Sequence, residues 1–316
     1  MYKDNRFFKL LKEQQIKCGY GWYGLIAGIL KYLTNYNNNH PNEQLEIESF
    51  EEKQGILQIK ILEGDVSPLS SIIDKAIESS KCICEICGCI GEITKSKKGK
   101  DKTLCKECLI EFNKKGMPIK NDDSLYFILK KIEFYCGYGW LGMIIPSLLK
   151  LEEYSLKLPD FLYEITAIEE KWGKIGYSTV FSSDTFNNLI PNKTDKTSVI
   201  ICEHCGCIGG ERGSFGGKYL ITLCPDCSKA EREYHKKEIE KRAKYIQENM
   251  SNFLLELSFL TKKYKLLING CGCCGSPQIY DLEYLELEYD DLKYNEKTGI
   301  YSVDGFRNED DFYPNF

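Results

Sequence analysis

Histidine is nearly missing from this chain: its 316 residues hold only three, His40, His204 and His235. Histidine is the usual general base near neutral pH. Cys18 and Cys136, which would otherwise be candidate nucleophiles, therefore have no base recurring beside them. The zinc deaminase pattern is missing too, since neither His-x-Glu nor Pro-Cys-x-x-Cys occurs. A zinc or thiol enzyme is the least favoured class, and no catalytic residue is expected. Long apolar runs are also lacking. The longest, around Leu25 to Leu33, is broken by Gly28 and Lys31 and is too short to span a bilayer. The opening Met-Tyr-Lys-Asp-Asn-Arg has none of the marks of a secretory signal. The expectation is a cytoplasmic protein with no membrane partner.

No large excess of charge is present either. The net charge of −5 argues against non-specific nucleic-acid binding by the whole chain. The charge is uneven: from Asp281 onward there are 11 acidic and 3 basic residues, so the remainder carries +3. With 42% hydrophobic and 28% charged residues the composition is globular.

What the chain does have is 16 cysteines. In a reducing compartment, cysteines at short spacings point to metal rather than disulfides. Twelve of them belong to an internal repeat. Cys18-Gly19-Tyr20-Gly21-Trp22 returns 118 residues later as Cys136-Gly137-Tyr138-Gly139-Trp140. Glu51-Glu52-Lys53 with Gly55 returns as Glu169-Glu170-Lys171 with Gly173, and Cys84-Glu85-x-Cys87-Gly88-Cys89 as Cys202-Glu203-x-Cys205-Gly206-Cys207, at the same offset of 118. Thr103-Leu104-Cys105-x-x-Cys108 returns as Thr222-Leu223-Cys224-x-x-Cys227, one residue later. Four motifs in order mark a tandem duplication.

Each copy thus carries two Cys-x-x-Cys pairs: Cys84, Cys87, Cys105 and Cys108, then Cys202, Cys205, Cys224 and Cys227. Two such pairs 17 or 18 residues apart match a structural zinc site. Gly88 and Gly206 suit a tight knuckle, and Pro225 opens a helix that would carry the second pair. Knuckle, hairpin and helix are the treble-clef arrangement, with two Zn(2+) per chain. Cys82 has no equivalent in the second copy. Cys89 and Cys207 are left as alternative ligands.

The remaining elements follow from pattern. A short amphipathic helix (Phe7, Leu10, Leu11; Leu125, Ile128, Leu129) opens each copy, the Cys-Gly-Tyr-Gly-Trp turn leads into a second helix, and two strands bracket Glu-Glu-Lys-x-Gly. From Asp226 to Asn269 there is no Gly or Pro. Ile239, Ala243, Ile246, Met250, Phe253, Leu257 and Leu260 form a heptad stripe there, which fits either a helix packing on its own chain or a homodimer seam over 239–260. The last fifty residues look β-rich, with a hairpin turn at Asn295 to Gly299. The fold class expected is α+β: zinc units at 1–117 and 118–229, a long helix at 230–264, and an acidic β-rich module at 265–316.

The motif order Cys-Gly-x-Gly-Trp, a Glu-Lys-x-Gly strand, Cys-x-x-Cys-Gly-x-x-Gly and Leu-Cys-x-x-Cys resembles a recurrent phage and prophage family largely of unassigned function. The resemblance covers Lys17 to Cys108 and Phe134 to Cys227. Members commonly have an acidic residue where Tyr20 and Tyr138 stand. The resemblance implies a host-directed role, such as interference with defence, and no set activity.

Other features are open to two readings. Gly19, Tyr20, Gly21 and Trp22, with Gly137, Tyr138, Gly139 and Trp140, could offer free backbone N–H groups to a small anion such as a nucleotide, or could be turns with tryptophan core anchors. Lys53 and Lys171 could join such a site, or lie on a solvated strand beside one inward salt bridge. Lys95, Lys97, Lys98, Lys100, Lys102 and Lys106 make the first hairpin basic, which would suit nucleic acid, but the second copy does not keep the charge. Cys271, Cys273 and Cys274 form a third cluster outside the repeat. The function expected is a non-enzymatic binding protein with a protein partner or a small anionic ligand.

Overall fold

A computed structural model describes residues 11–63, 66–118, 120, 125, 129–157, 164–179, 191–215, 219–269, 278–281, 292–295 and 300–303. It is mixed α and β. Two compact units are present, residues 1–233 and 234–316. Both sequence copies lie within the first.

In copy one, β1 (Gln15–Lys17) leads through a 3-10 turn (Tyr20–Trp22) into α1 (Tyr23–Asn39). β2 (Glu46–Lys53) and β3 (Ile56–Glu63) follow, then α2 (Ser70–Ser80), the hairpin β4 (Glu92–Lys95) and β5 (Asp101–Leu104), and α3 (Lys106–Lys115). Copy two repeats the order with β6 (Glu133–Tyr135), a 3-10 turn (Tyr138–Trp140), α4 (Leu141–Lys157), β7 (Ile165–Lys171), β8 (Lys174–Thr179), α5 (Pro191–Ser198), β9 (Glu211–Phe215) and β10 (Tyr219–Leu223). α6 (Pro225–Tyr264) then runs unbroken for 40 residues.

The repeat extends to the register. β1 pairs parallel to β2 with Ile16 opposite Phe50, and β6 pairs parallel to β7 with Phe134 opposite Ile168, the equivalent residues. β2–β3 and β7–β8 close through two-residue turns, Gln54-Gly55 and Trp172-Gly173, with positive φ at every position. That is the hairpin turn whose twist matches paired strands.

The two copies pack on each other through glycine. A methyl group at Gly24 in α1 would lie 2.1 Å from the carbonyl oxygen of Gly139, and one at Gly142 in α4 would lie 2.2 Å from that of Gly21. Gly24 and Gly142 are equivalent, as are Gly21 and Gly139, so the contact is reciprocal in the manner of a two-fold interface. Gly88 in the first knuckle approaches the Gly142 carbonyl, and Gly206 in the second approaches Gly24. Around this seam lies one apolar core including Trp22, Ile26, Ile29, Phe50, Trp140, Ile144, Ile145 and Ile168, each with no exposed surface. Leu11, Leu125 and Leu129 are buried as their helical pattern suggests, while Phe7, Leu10 and Ile128 lie outside the described residues.

In the second unit, Leu257 of the heptad stripe is buried, whereas Ile239, Phe253 and Leu260 are exposed. β11 (Leu266–Asn269) pairs antiparallel with β12 (Gln278–Asp281), and β13 (Leu292–Asn295) with β14 (Ile300–Val303), so the described part of the tail is β-rich. Cys271, Cys273 and Cys274 lie outside the described residues. Among the described residues no helix is long and apolar enough to cross a membrane.

Candidate metal centres and the corners beside them

Each knuckle is built the same way. Cys84 N–H donates to the Cys89 carbonyl at 2.7 Å and Gly88 N–H to that of Cys84 at 2.9 Å; Cys202, Cys207 and Gly206 repeat this at 2.9 and 2.9 Å. Gly88 and Gly206 take φ of +70° and +73°, which only glycine adopts without strain. The β4–β5 and β9–β10 hairpins return the chain, and the second cysteine pair sits at the N-terminus of α3 or α6, where the free N–H groups of a helix favour negative sulfur.

The result is two sets, Cys84, Cys87, Cys105 and Cys108 and Cys202, Cys205, Cys224 and Cys227, whose four sulfurs in each case lie within 4.8 Å of one another. Cys87 and Cys105 sulfurs are 3.7 Å apart, as are those of Cys205 and Cys224. Four ligands about 2.3 Å from a tetrahedral zinc would be separated by about 3.8 Å, so the sets fit a metal ion. Their electrostatics agree. Hydrogen bonding to Cys105 raises the Cys84, Cys87 and Cys108 thiols, while Cys105 itself is pushed down by bonds from Cys108, Cys84 and Cys87. Cys89 and Cys207 are outside both sets although buried, and Cys82 is exposed.

The Cys-Gly-Tyr-Gly-Trp segments lie on the backs of the knuckles. Gly19 N–H donates to Glu85 Oε1 at 3.0 Å and Gly21 N–H to the Glu85 carbonyl at 2.8 Å; Gly137 and Gly139 donate to Glu203 in the same way at 2.7 and 2.8 Å. The anion that these N–H groups meet is thus the chain's own glutamate. Trp22 Nε1 donates to the Ile83 carbonyl at 2.8 Å, and Trp140 Nε1 to that of Ile201 at 2.9 Å, so both tryptophans anchor turn to knuckle. Lys53 is exposed, and Lys171 pairs with Glu169 at 2.8 Å. Cys18 is buried, and burial pushes its thiol up to about 12, far from a reactive thiolate.

Glu85 and Glu203 recur in the sequence motif, yet nothing local shows what they hold, because their partners lie 66 residues away. Their surroundings differ between copies. Glu85 Oε2 accepts from Lys102 at 3.0 Å, and Lys102 also reaches Glu52 at 2.5 Å. Lys102, one of the hairpin lysines, is therefore a buried ion-pair member, 8% exposed. Burial opposes its charge, but Glu85 and Glu52 outweigh this and raise its pKa. In copy two Ile221 stands at the equivalent place. Glu203, 6% exposed, is pushed up to about 7, first by burial, with the Gly137 N–H opposing and the Glu170 charge adding.

Beside the second set a polar contact also crosses between the copies. Lys75 of α2 lies 3.4 Å from Cys224 Sγ and 2.6 Å from Asp226. Burial disfavours its charge, yet these partners raise its pKa.

The chain matches no protein-family model, no curated protein and no solved structure.

Proposed function

We propose that the chain is a non-enzymatic, zinc-stabilised binding protein that engages a protein partner. Each set supplies four thiols, the number that closes a tetrahedral structural site, and such closed sites keep no position for activating water. Zinc suits four thiolates better than harder cations do.

The observation that carries the partner reading is Trp172. It is 78% exposed at the tip of β7–β8, at φ +56°, where copy one has Gln54. A bulky residue in the left-handed region is costly for folding, and residues that break a local rule cluster at functional places. Tryptophan is also the side chain most enriched among energetic anchors of protein interfaces. The resemblance of the motif order to a phage and prophage family supports a host protein as the partner. A homodimer through 239–260 belongs to the same proposal.

The test is capture by tagged full-length chain in its own cells, read by crosslinking and mass spectrometry. Trp172→Ala is expected to lose the enriched partner while keeping two zinc ions by native mass spectrometry. The same partner recovered equally by both proteins would sink the reading.

A further inference from the structure

We infer that copy two carries a binding site for a primary ammonium group, formed by Glu203 and Glu170, at the place which Lys102 fills from within the chain in copy one. It does not depend on the partner reading of Trp172.

The argument is a comparison of two halves of one molecule. Thr103 Oγ1 donates to the Gly55 carbonyl at 2.5 Å and Thr222 Oγ1 to that of Gly173 at 2.8 Å, which fixes the residues before them, Lys102 and Ile221, as equivalents. Glu52 and Glu170 are equivalents too, each turning Oε1 to the N–H of its hairpin glycine. In copy one the two remaining carboxylate oxygens, Glu52 Oε2 and Glu85 Oε2, both receive the Lys102 ammonium. Copy two keeps both carboxylates and loses the cation. Ile221 ends short of where a lysine ammonium would lie, and it faces Gly213 across the hairpin where Lys102 faces Thr94.

Glu203 Oε2 is then buried without a hydrogen-bond partner among the described residues. A buried carboxylate oxygen left unpaired is costly, and a donor that reaches it gains correspondingly. The Lys31 charge acts on Glu203, but no ion pair joins the two; Glu231, which faces His204, adds negative charge. Copy two is also the more open. Gly137 and Tyr138 are half-buried, whereas Gly19 and Tyr20 are buried beside Met117, Pro118 and Lys120.

The probe is n-butylammonium, a lysine side chain without its backbone, added to full-length metal-loaded protein and followed by calorimetry and thermal shift. Tetramethylammonium at equal ionic strength is the control, since it carries the charge without an N–H donor. Wild type is expected to bind butylammonium at least tenfold better than tetramethylammonium. Ile221→Lys supplies the cation from within and should abolish that binding. Glu203→Gln, which keeps the shape and the acceptor for Gly137 N–H, should weaken it at least tenfold, and covers the case in which Ile221→Lys does not fold. Spermidine and a short lysine peptide then separate a free amine from a protein side chain as the source. Equal response to both ammonium ions, or butylammonium binding that survives Glu203→Gln, overturns the proposal.

Discussion

The Lys75 ammonium of the first copy lies 3.4 Å from the Cys224 sulfur of the second, so the second four-cysteine set receives a donor from 149 positions away. Four thiolates around a dication leave a net charge of −2, and an N–H donor to sulfur reduces that excess. Partners of metal ligands are commonly worth 10–100-fold in affinity. Lys75→Ala is therefore expected to release one of two metal ions about 10-fold more readily to a chelator, with the other unchanged. Uniform release from both centres would show that the contact has no bearing on the metal.

Gly142→Ala is expected to destabilise the chain by on the order of 3 kcal/mol, because the new methyl meets backbone rather than a side chain able to turn away. Gly99→Ala is the control. Gly99 has a positive φ, of +74°, unlike the helical Gly142, and nothing lies within 4 Å of it, so the loss there should be about 1 kcal/mol, from conformation alone. Urea unfolding of the two variants separates the seam from the turn.

Trp172→Asn is expected to raise stability by about 0.5–1 kcal/mol, since Asn-Gly is the favoured pair for this turn. Trp22 and Trp140 are fully buried, so acrylamide quenching in the wild type should report Trp172 and should nearly vanish in the variant. A drop in melting temperature on substitution would mean that the indole packs on the fold.

The pH dependence follows from Glu203, whose folded pKa of about 7 lies above the usual carboxylate value of 4.5. Below 4.5 the carboxyl is protonated in both folded and unfolded states. Between 4.5 and 7 the folded chain holds the extra proton, so stability falls as pH rises through that window. The loss amounts to at most about 3 kcal/mol. Glu203→Gln should remove this slope between pH 5 and 7.5 in metal-loaded protein. Parallel profiles for the two proteins would place the carboxyl's titration elsewhere.

The metal sets were legible because their ligands come in pairs two residues apart, within a span that folds locally. The strands around Glu-Glu-Lys-x-Gly and the long helix were legible for the same reason, as period and punctuation. The seam was not. Gly24 and Gly142 look like weak points inside helices until the opposite backbone is seen against them. Lys102 read as one lysine of a basic hairpin, since solvent exposure of neighbours at alternate positions says nothing about a carboxylate brought in from another strand. The glycine pairs of Cys-Gly-Tyr-Gly-Trp fitted either an anion site or a tryptophan-anchored turn, and the glutamate repeated after Cys84 and Cys202 is the group that meets their N–H groups.

A surface that is its own complement has a further consequence. Gly24 meets the turn of the other copy as Gly142 meets the turn of the first, so each half carries the surface that the other needs. A change along that seam is therefore met on both sides of the contact. At the second hairpin isoleucine stands where the first half has lysine: one corner is closed by its own cation, and the other keeps its two carboxylates without it.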